Sequence, residues 1–378
     1  MKVYKIGIIG YGGFGKFLHH WWDKLEGVEV VAISNGKAED ELGVVNYDDW
    51  RNLIEDAEID IVSVATPPAS HVEIACACML AGKHVLLEKP AAINREGIET
   101  LQKVQRETGK SIMVNHMLRY NPIVDSLIKL SKDEVFGKLR HASVTNYAQD
   151  NSLPPTHWFW DREISGGIFV EHGVHFFDII NALTAQRVEE VCGLSHRRNE
   201  IQQDQMSAMV LYNDGLIANH YHSFSGPGFF EDTTIRLMYD LAKIEIQGWI
   251  PLKGKIKALV NQERHQSLQI LPELKVVEKT PITNLVDTSR PEGWGDLTET
   301  LNSTIESGGI SYDASEMLTA EFGLSEDKSE VYGSCVQAIL VDLMAMIENP
   351  SHQPKVSIEN AFEALKVALM ADEQLKSR

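Results

Sequence analysis

The chain has 378 residues, 43% of them hydrophobic and 24% charged, with a formal net charge of −19. That length exceeds one ordinary core, so two domains of a globular protein are expected. The acidic balance excludes nucleic acid and anionic membrane surfaces as partners, since both need a basic face, and no apolar run approaches the length of a membrane span.

The apolar run at residues 5–10 is short and ends in glycine, unlike a signal peptide. The cysteines at 76, 78, 192 and 335 are scattered and read as buried thiols in a reducing cytoplasm, not as a disulfide or zinc framework.

Residues 3–9 read as a buried strand that runs into Gly10-Tyr11-Gly12-Gly13-Phe14-Gly15, with an amphipathic helix following to about residue 25. Gly-x-Gly-x-x-Gly alone is a weak signal; after a strand and at a helix start it is a dinucleotide fingerprint. Gly10 permits the turn, Gly12 admits the pyrophosphate, and Gly15 lets the helix approach the strand. The helix start, with Gly13 and Phe14, offers free N–H groups to the phosphates.

A second strand, 28–33, ends in Ser34-Asn35-Gly36-Lys37, with no carboxylate at its tip. A carboxylate there would accept from the 2′-hydroxyl of NAD and repel a 2′-phosphate. Ser34, Asn35 and Lys37 therefore tilt the choice between NAD and NADP toward NADP, although Asn35 is also able to bond a free hydroxyl. Helix 47–57, strand 59–65, helix 70–81, strand 84–88, helix 94–108 and strand 111–115 continue the alternation. Apolar strands separated by helices predict a doubly wound parallel sheet, a Rossmann α/β domain over residues 1–120. Ligands of such a sheet bind at the strand ends, which here carry Thr66-Pro67-Pro68, Glu88-Lys89-Pro90 and Asn115-His116.

Residues 121–378 are predicted to form an α+β domain with a large, open, mostly antiparallel sheet. Segments 139–147, 188–195, 206–212, 216–222, 234–239 and 243–247 alternate as half-buried strands. Segment 251–330 is polar and reads in part as loops over substrate or at a subunit contact. Helices return at 331–347 and 358–376, and the last is free to pack back on the first domain. After Gly166-Gly167, a helix over 171–183 places Glu171, His175 and Asp178 along one stripe. Spacing alone suits three polar groups turned to water, but a carboxylate beside a histidine also prepares an imidazole for proton transfer. His116, Arg119 and Trp158, with Trp160, are candidates for a sugar-binding wall, since aromatic faces suit a ring's apolar C–H surface. For Arg119 a structural ion pair is the competing reading, and for the two tryptophans it is packing between domains.

Gly10-x-Gly12-x-x-Gly15, Ala65-Thr66-Pro67-Pro68 with His71, Glu88-Lys89-Pro90, and Gly166-Gly167 before Glu171-x-Gly173-x-His175-x-x-Asp178 together resemble the glucose-fructose oxidoreductase/inositol dehydrogenase (Gfo/Idh/MocA) family. The resemblance implies an oxidoreductase using NAD or NADP on the CH–OH group of a sugar, polyol or related carbohydrate. It implies Lys89 and His175 as catalytic residues, and Thr66, Pro67, Pro68, His71 and Glu88 beside the cofactor. The acid at 171 would orient one of the catalytic pair or bind a neighbouring hydroxyl; the family commonly has aspartate there. Asn115, His116, Arg119, Trp158, Glu171, His172 and His175 form the expected substrate set. Glu171, His172, His175 and Asp178 are metal-ligand types, but a cation there would repel Lys89, so no metal is expected. Two further readings stay open: a glycosidase working by transient oxidation with tightly bound NAD, and a non-catalytic nicotinamide or metabolite sensor. The resemblance also implies a homo-oligomer, dimer or tetramer, joined through the C-terminal sheet.

Overall fold

The structure, a computed structural model, describes residues 2–36, 43–284 and 304–377. Six strands, β1 (Tyr4–Ile9), β2 (Val28–Ser34), β3 (Val45–Tyr47), β4 (Ile61–Val64), β5 (His84–Leu87) and β6 (Ile112–Val114), form a parallel sheet in the order β3-β2-β1-β4-β5-β6. Helices α1 (Gly13–Trp22), α2 (Trp50–Glu55), α3 (His71–Leu80) and α4 (Arg95–Thr108) connect them. This is the doubly wound order, in which ligands sit at the carboxyl ends of the central strands. The reading of 47–57 as helix missed the edge strand β3. Val45 to Tyr47 pair with Ala32 to Ser34, and Asp49 starts α2 by accepting from the Arg51 N–H.

After α5 (Pro122–Lys132) the second sheet begins with β7 (Leu139–Gln149). The chain then forms α6 (Arg162–Ser165), a π-turn at Phe169–Gly173 and α7 (Val174–Ala182). Strands β8 (Val188–Arg197), β9 (Gln203–Tyr212), β10 (Ile217–Gly226), β11 (Asp232–Tyr239), β12 (Ala242–Gln247) and β13 (Lys253–Val260) follow. Beyond α8 (Gln262–Ser267) come β14 (Lys275–Pro281), the hairpin β15 (Thr304–Ser307) and β16 (Ile310–Asp313), and β17 (Glu316–Gly323). Helices α9 (Lys328–Glu348) and α10 (Ile358–Glu373) and the short β18 (Lys376–Ser377) end the described chain. Ten of these strands make one sheet, β14-β17-β13-β12-β11-β7-β10-β9-β8-β18, antiparallel except at β7/β10 and β18/β8.

Segment 251–330 is therefore largely sheet. In β13, Gly254, Ile256, Ala258 and Val260 are buried while Lys253, Lys255 and Lys257 face out, a period-2 pattern hidden by its lysines. Residues 285–303, between β14 and β15, lie outside the described part. Cys192 stands exposed on β8, unlike the other three thiols.

One apolar run does reach the length of a membrane span. Lys328–Glu348 has 21 residues, with a mean hydropathy of 1.5 over its most apolar 18, enough by length and composition to cross a membrane. Its contacts make it a packing helix. Val331, Cys335, Val336, Ile339, Leu340 and Leu343 are buried, Trp22 Nε1 donates to the Val336 carbonyl at 3.0 Å, and Gln337 Nε2 donates to the Trp21 carbonyl at 2.7 Å. The close approach needs a glycine: a Cβ at Gly333 would lie 2.0 Å from the Trp21 ring. We expect Gly333→Ala to displace that indole and lower the unfolding free energy by about 1–3 kcal/mol, as overpacking does. Denaturant midpoints of the two proteins check this; equal midpoints contradict the clamp.

Candidate active site

The turn after β1 has the shape a dinucleotide needs. Gly10 adopts a φ of +100°, and a Cβ there would meet the Ala65 carbonyl at 2.5 Å. A Cβ on Gly15 would meet the Gly10 oxygen at 2.3 Å, so α1 abuts the turn. Above Gly12 and Gly13 there is open space, and no side chain caps the first N–H groups of α1. These uncapped donors at an open helix start fit a pyrophosphate. At the tip of β2, Ser34 is fully buried with its hydroxyl 3.4 Å from Asn35 Oδ1, and its carbonyl accepts from the Gly10 N–H at 2.9 Å. Ser34 thus supports the turn rather than facing a ribose. Asn35, in the left-handed region at φ 56°, is the exposed group at that tip. Lys37 lies outside the described residues.

A cleft of about 300 Å³ opens where the parallel sheet meets α7. Its lining includes Phe14, Thr66, Pro68, Glu88, Lys89 and Asn115 from the first half of the chain. Lys89 Nζ donates to Glu171 Oε1 and to the Glu171 carbonyl, both at 2.8 Å. An ammonium has three donors, so one remains for the cleft. Glu88 is buried and accepts from Asn115 Nδ2; desolvation pushes its carboxyl up to about 7 against the pull of Asn115 and Lys89. Asn115 Oδ1 has no protein partner among the described residues. Pro67 is exposed beside the cleft and not part of its lining.

His71, expected beside the cofactor, is a buried staple between two loops. Its Nδ1 lies 2.7 Å from the Pro90 carbonyl and its Nε2 2.7 Å from the Thr66 carbonyl. Both ring nitrogens are engaged with main chain, which ties the ends of β4 and β5 together.

The π-turn alters the stripe predicted for 171–183. The wider turn presents the Glu171 carbonyl to Lys89, and Glu171, His172 and His175 all line the cleft. Two of the three stripe residues are turned away from water, His175 at 3% exposed and Asp178 at 1%, while Glu171 is partly buried against Lys89. Asp178 lies behind the cleft, where Arg119 donates to it twice, at 2.7 and 2.6 Å. Arg119 is therefore a structural partner of Asp178, outside the cleft lining, with its fork taken up by a buried carboxylate. His116 is also removed from the lining. It is buried, edge-on to His175 at 6.2 Å between ring centres, with Nδ1 3.8 Å from Asp178 Oδ2. Burial, then the charge of Lys89, holds the His175 pKa well below 6.5, and the same two causes lower His172 to about 3. Both rings are neutral near pH 7.

The family profile described as "Oxidoreductase family, NAD-binding Rossmann fold" matches residues 4–116, and that of the "GFO/IDH/MocA C-terminal domain" matches residues 125–245. The chain belongs to the Gfo/Idh/MocA family. Myo-inositol 2-dehydrogenase of Thermotoga maritima is 27% identical over 194 residues, which are 50% of this chain and 57% of that protein. The 4-carboxy-2-hydroxymuconate-6-semialdehyde dehydrogenase of Sphingobium is 35% identical over 125 residues, 31% of this chain and 40% of the relative. The match thus spans about half the length of these relatives. Among solved structures, myo-inositol 2-dehydrogenase of Lactobacillus plantarum superposes with a TM-score of 0.71 at 19% identity, over 99% of this chain and 97% of the other. Biliverdin reductase of Synechocystis, in complex with biliverdin and NADP+, gives 0.69 at 18% identity, over 98% of each. These likenesses show the fold.

The Gfo/Idh/MocA cleft of this chain has two walls that sequence reasoning missed. Trp249, in the turn after β12, stands 5.3 Å from His175 and 5.8 Å from Tyr332, ring centre to ring centre. Tyr332 comes from the second turn of α9 and is the only contribution of that helix to the lining. The faint signal was Gly248-Trp249-Ile250-Pro251, a turn at the end of a readable strand; Tyr332 had none. Trp158 lines the cleft, whereas Trp160 is buried, with Nε1 donating to the Leu153 carbonyl at 3.0 Å. A larger hollow of about 610 Å³ between Leu139, Thr184 and Tyr239 holds no unpartnered buried polar atom among the described residues.

The Glu88 shift has a consequence for stability. A carboxyl raised from 4.5 to about 7 on folding contributes stability that is fully present below pH 4.5 and lost as pH rises through 7. Glu88→Gln removes that loss. The unfolding midpoint of the variant, relative to the parent protein, is expected to rise between pH 5 and pH 8; a constant difference would contradict the assignment.

Proposed function

We propose that the chain is an NAD(P)-dependent dehydrogenase acting on a secondary alcohol, or the matching ketone, of a sugar, polyol or related carbohydrate. One observation carries this reading. Lys89, with one donor unspent, and neutral His175 face the same cleft, next to the glycine turn and between aromatic walls. The nicotinamide, when bound, supplies the hydride acceptor or donor. Everything else falls to the chain. His175 takes the hydroxyl proton at Nε2, since Nδ1 is buried. The free donor of Lys89 bonds the reacting oxygen and stabilises its developing negative charge. Glu171 holds Lys89 in place. Trp158, Trp249 and Tyr332 offer faces to the apolar side of a ring, and Asn115 Oδ1 offers an acceptor to a hydroxyl.

For the nucleotide, the absence of a carboxylate at the exposed tip of β2 among the described residues supports NADP, with Asn35 as the reading group. Asn35→Asp is then expected to weaken NADP far more than NAD, measured by titrating each nucleotide against protein fluorescence. Equal weakening would remove Asn35 from the role. We also propose a homo-oligomer through the outer face of the ten-stranded sheet, where Tyr147, Leu194, Met209, Ile217 and Met238 are exposed.

The test of the whole reading is a panel of sugars, polyols and their oxidised forms with both nucleotides, followed by single-turnover hydride transfer. His175→Ala is expected to slow that step ~10²–10⁴-fold without abolishing nucleotide binding. The lowered pKa of His175 sets one limb of the pH dependence: protonation of that ring should slow alcohol oxidation only well below pH 6.5, so a break near pH 7 reports Glu88 instead. An undiminished rate in His175→Ala would make it a structural residue.

A further inference from the structure

Behind the cleft lies a row of polar side chains that the reaction as described leaves unused. His220 and His222 stand on the helix-facing side of β10, both fully buried. All four of their ring nitrogens lack a protein partner among the described residues, as do His172 Nε2, His175 Nδ1 and Asn146 Nδ2. These groups are contiguous. From His172 the ring centre of His175 is 6.4 Å away and that of His222 is 5.7 Å away; His220 is 6.3 Å beyond His222. Asn146 on β7 is the register partner of His222, and its Oδ1 accepts from Thr233 at 2.7 Å.

Phe169 and Phe176 pack against the His222 ring, and a Cβ on Gly173 would come within 3.7 Å of its Nε2. The titratable groups facing His222 are His172 and His220. Those facing His175 are Lys89, His116 and His172, with the Asp178–Arg119 pair behind His116.

Buried polar atoms in native folds are bonded, to protein or to ordered water. Seven orphaned nitrogens side by side point to internal water, since a polar site with several convergent partners is where buried water is held. The histidines do not group as a metal site among the described residues.

We propose that His222 and Asn146, bridged by internal water to His172, form a hydrogen-bonded row that keeps His175 protonated on Nδ1, with its Nε2 lone pair toward the cleft. This rests on the reading of His175 as the base, and it makes His222 a positioning residue that touches no substrate. With a nicotinamide bound to take the hydride from the carbinol carbon, the O–H bond would break and its proton would go to His175 Nε2. The carbon–oxygen bond becomes a carbonyl, and the positive ring shares its charge through Nδ1–H with the row. After product leaves, the proton passes from Nε2 to cleft water, so the row neither gains nor loses one. An apolar wall behind Nδ1 would offer no acceptor and would leave either tautomer open.

The test uses the full chain. His222→Phe keeps a ring and removes the polar atoms without breaking a direct protein hydrogen bond among the described residues, so it should fold. Single-turnover hydride transfer should slow about 10-fold to 100-fold, because the base then spends time in the wrong tautomer. In protein labelled with 15N-histidine, the parent His175 should report one neutral tautomer protonated on Nδ1, and His222→Phe should report a mixture. His222→Gln, which restores a donor and an acceptor, should recover most of the rate. A His222→Phe protein with the parent rate and the parent His175 signals overturns the proposal. If that variant does not fold, the parent spectrum decides, and a His175 protonated on Nε2 overturns it equally. Failure of the dehydrogenase reading looks different: His175→Ala would then keep its rate whatever His222 does.

Discussion

The pair between Lys89 and Glu171 is the contact on which the cleft depends. It joins the end of a parallel strand to a π-turn 82 residues further along the chain, and both side chains are only 15% exposed. Such a pair adds little net stability, because desolvation offsets most of the attraction, yet breaking it strands a charge. Its effect is geometric. It sets where the ammonium points, and the two bonds it makes to one residue leave a single donor free. The glutamate reaches that ammonium from a turn whose carbonyl also accepts from it. One residue thereby fixes the lysine with both side chain and main chain.

Around this contact the fold adds constraints that work in the same direction. His71 ties the loops after β4 and β5, so Thr66 and Lys89 cannot drift apart. Arg119 and Asp178 form a second, deeper pair that fixes α7 against the chain leaving β6. Helix α9, held on α1 by Trp22 and Gln337, carries Tyr332 across to the cleft. The acidic total charge has no part in this, because the groups that matter are paired and buried.

Much of this was legible in the sequence, and what escaped has identifiable physical reasons. The glycine turn, the strand ends and the histidine motif are local patterns, and local patterns survive reading one residue at a time. Arg119 and Asp178 both stood out, but their mutual saturation is a long-range fact, as is the burial of Ser34. The π-turn shifts phase by a fraction of a turn, which period counting does not resolve. Residues 251–330 looked polar because outward lysines mask a buried alternate face. His220 and His222 fit a half-buried strand equally well in either register; only the packing of α7 on β10 shows that they face inward. Trp249 and Tyr332 sit at ordinary packing positions and gain meaning from what arrives opposite them.

The central claim is that Lys89 and Glu171 act as one unit in hydride transfer. A double-mutant cycle measures this directly: Lys89→Met, Glu171→Gln and the double variant, each in single turnover with saturating nucleotide and substrate. Residues that act as a unit are non-additive, so the account predicts that the double variant is about as slow as Lys89→Met alone. If the two losses instead multiply independently, the lysine and the glutamate serve separate roles and the account is contradicted.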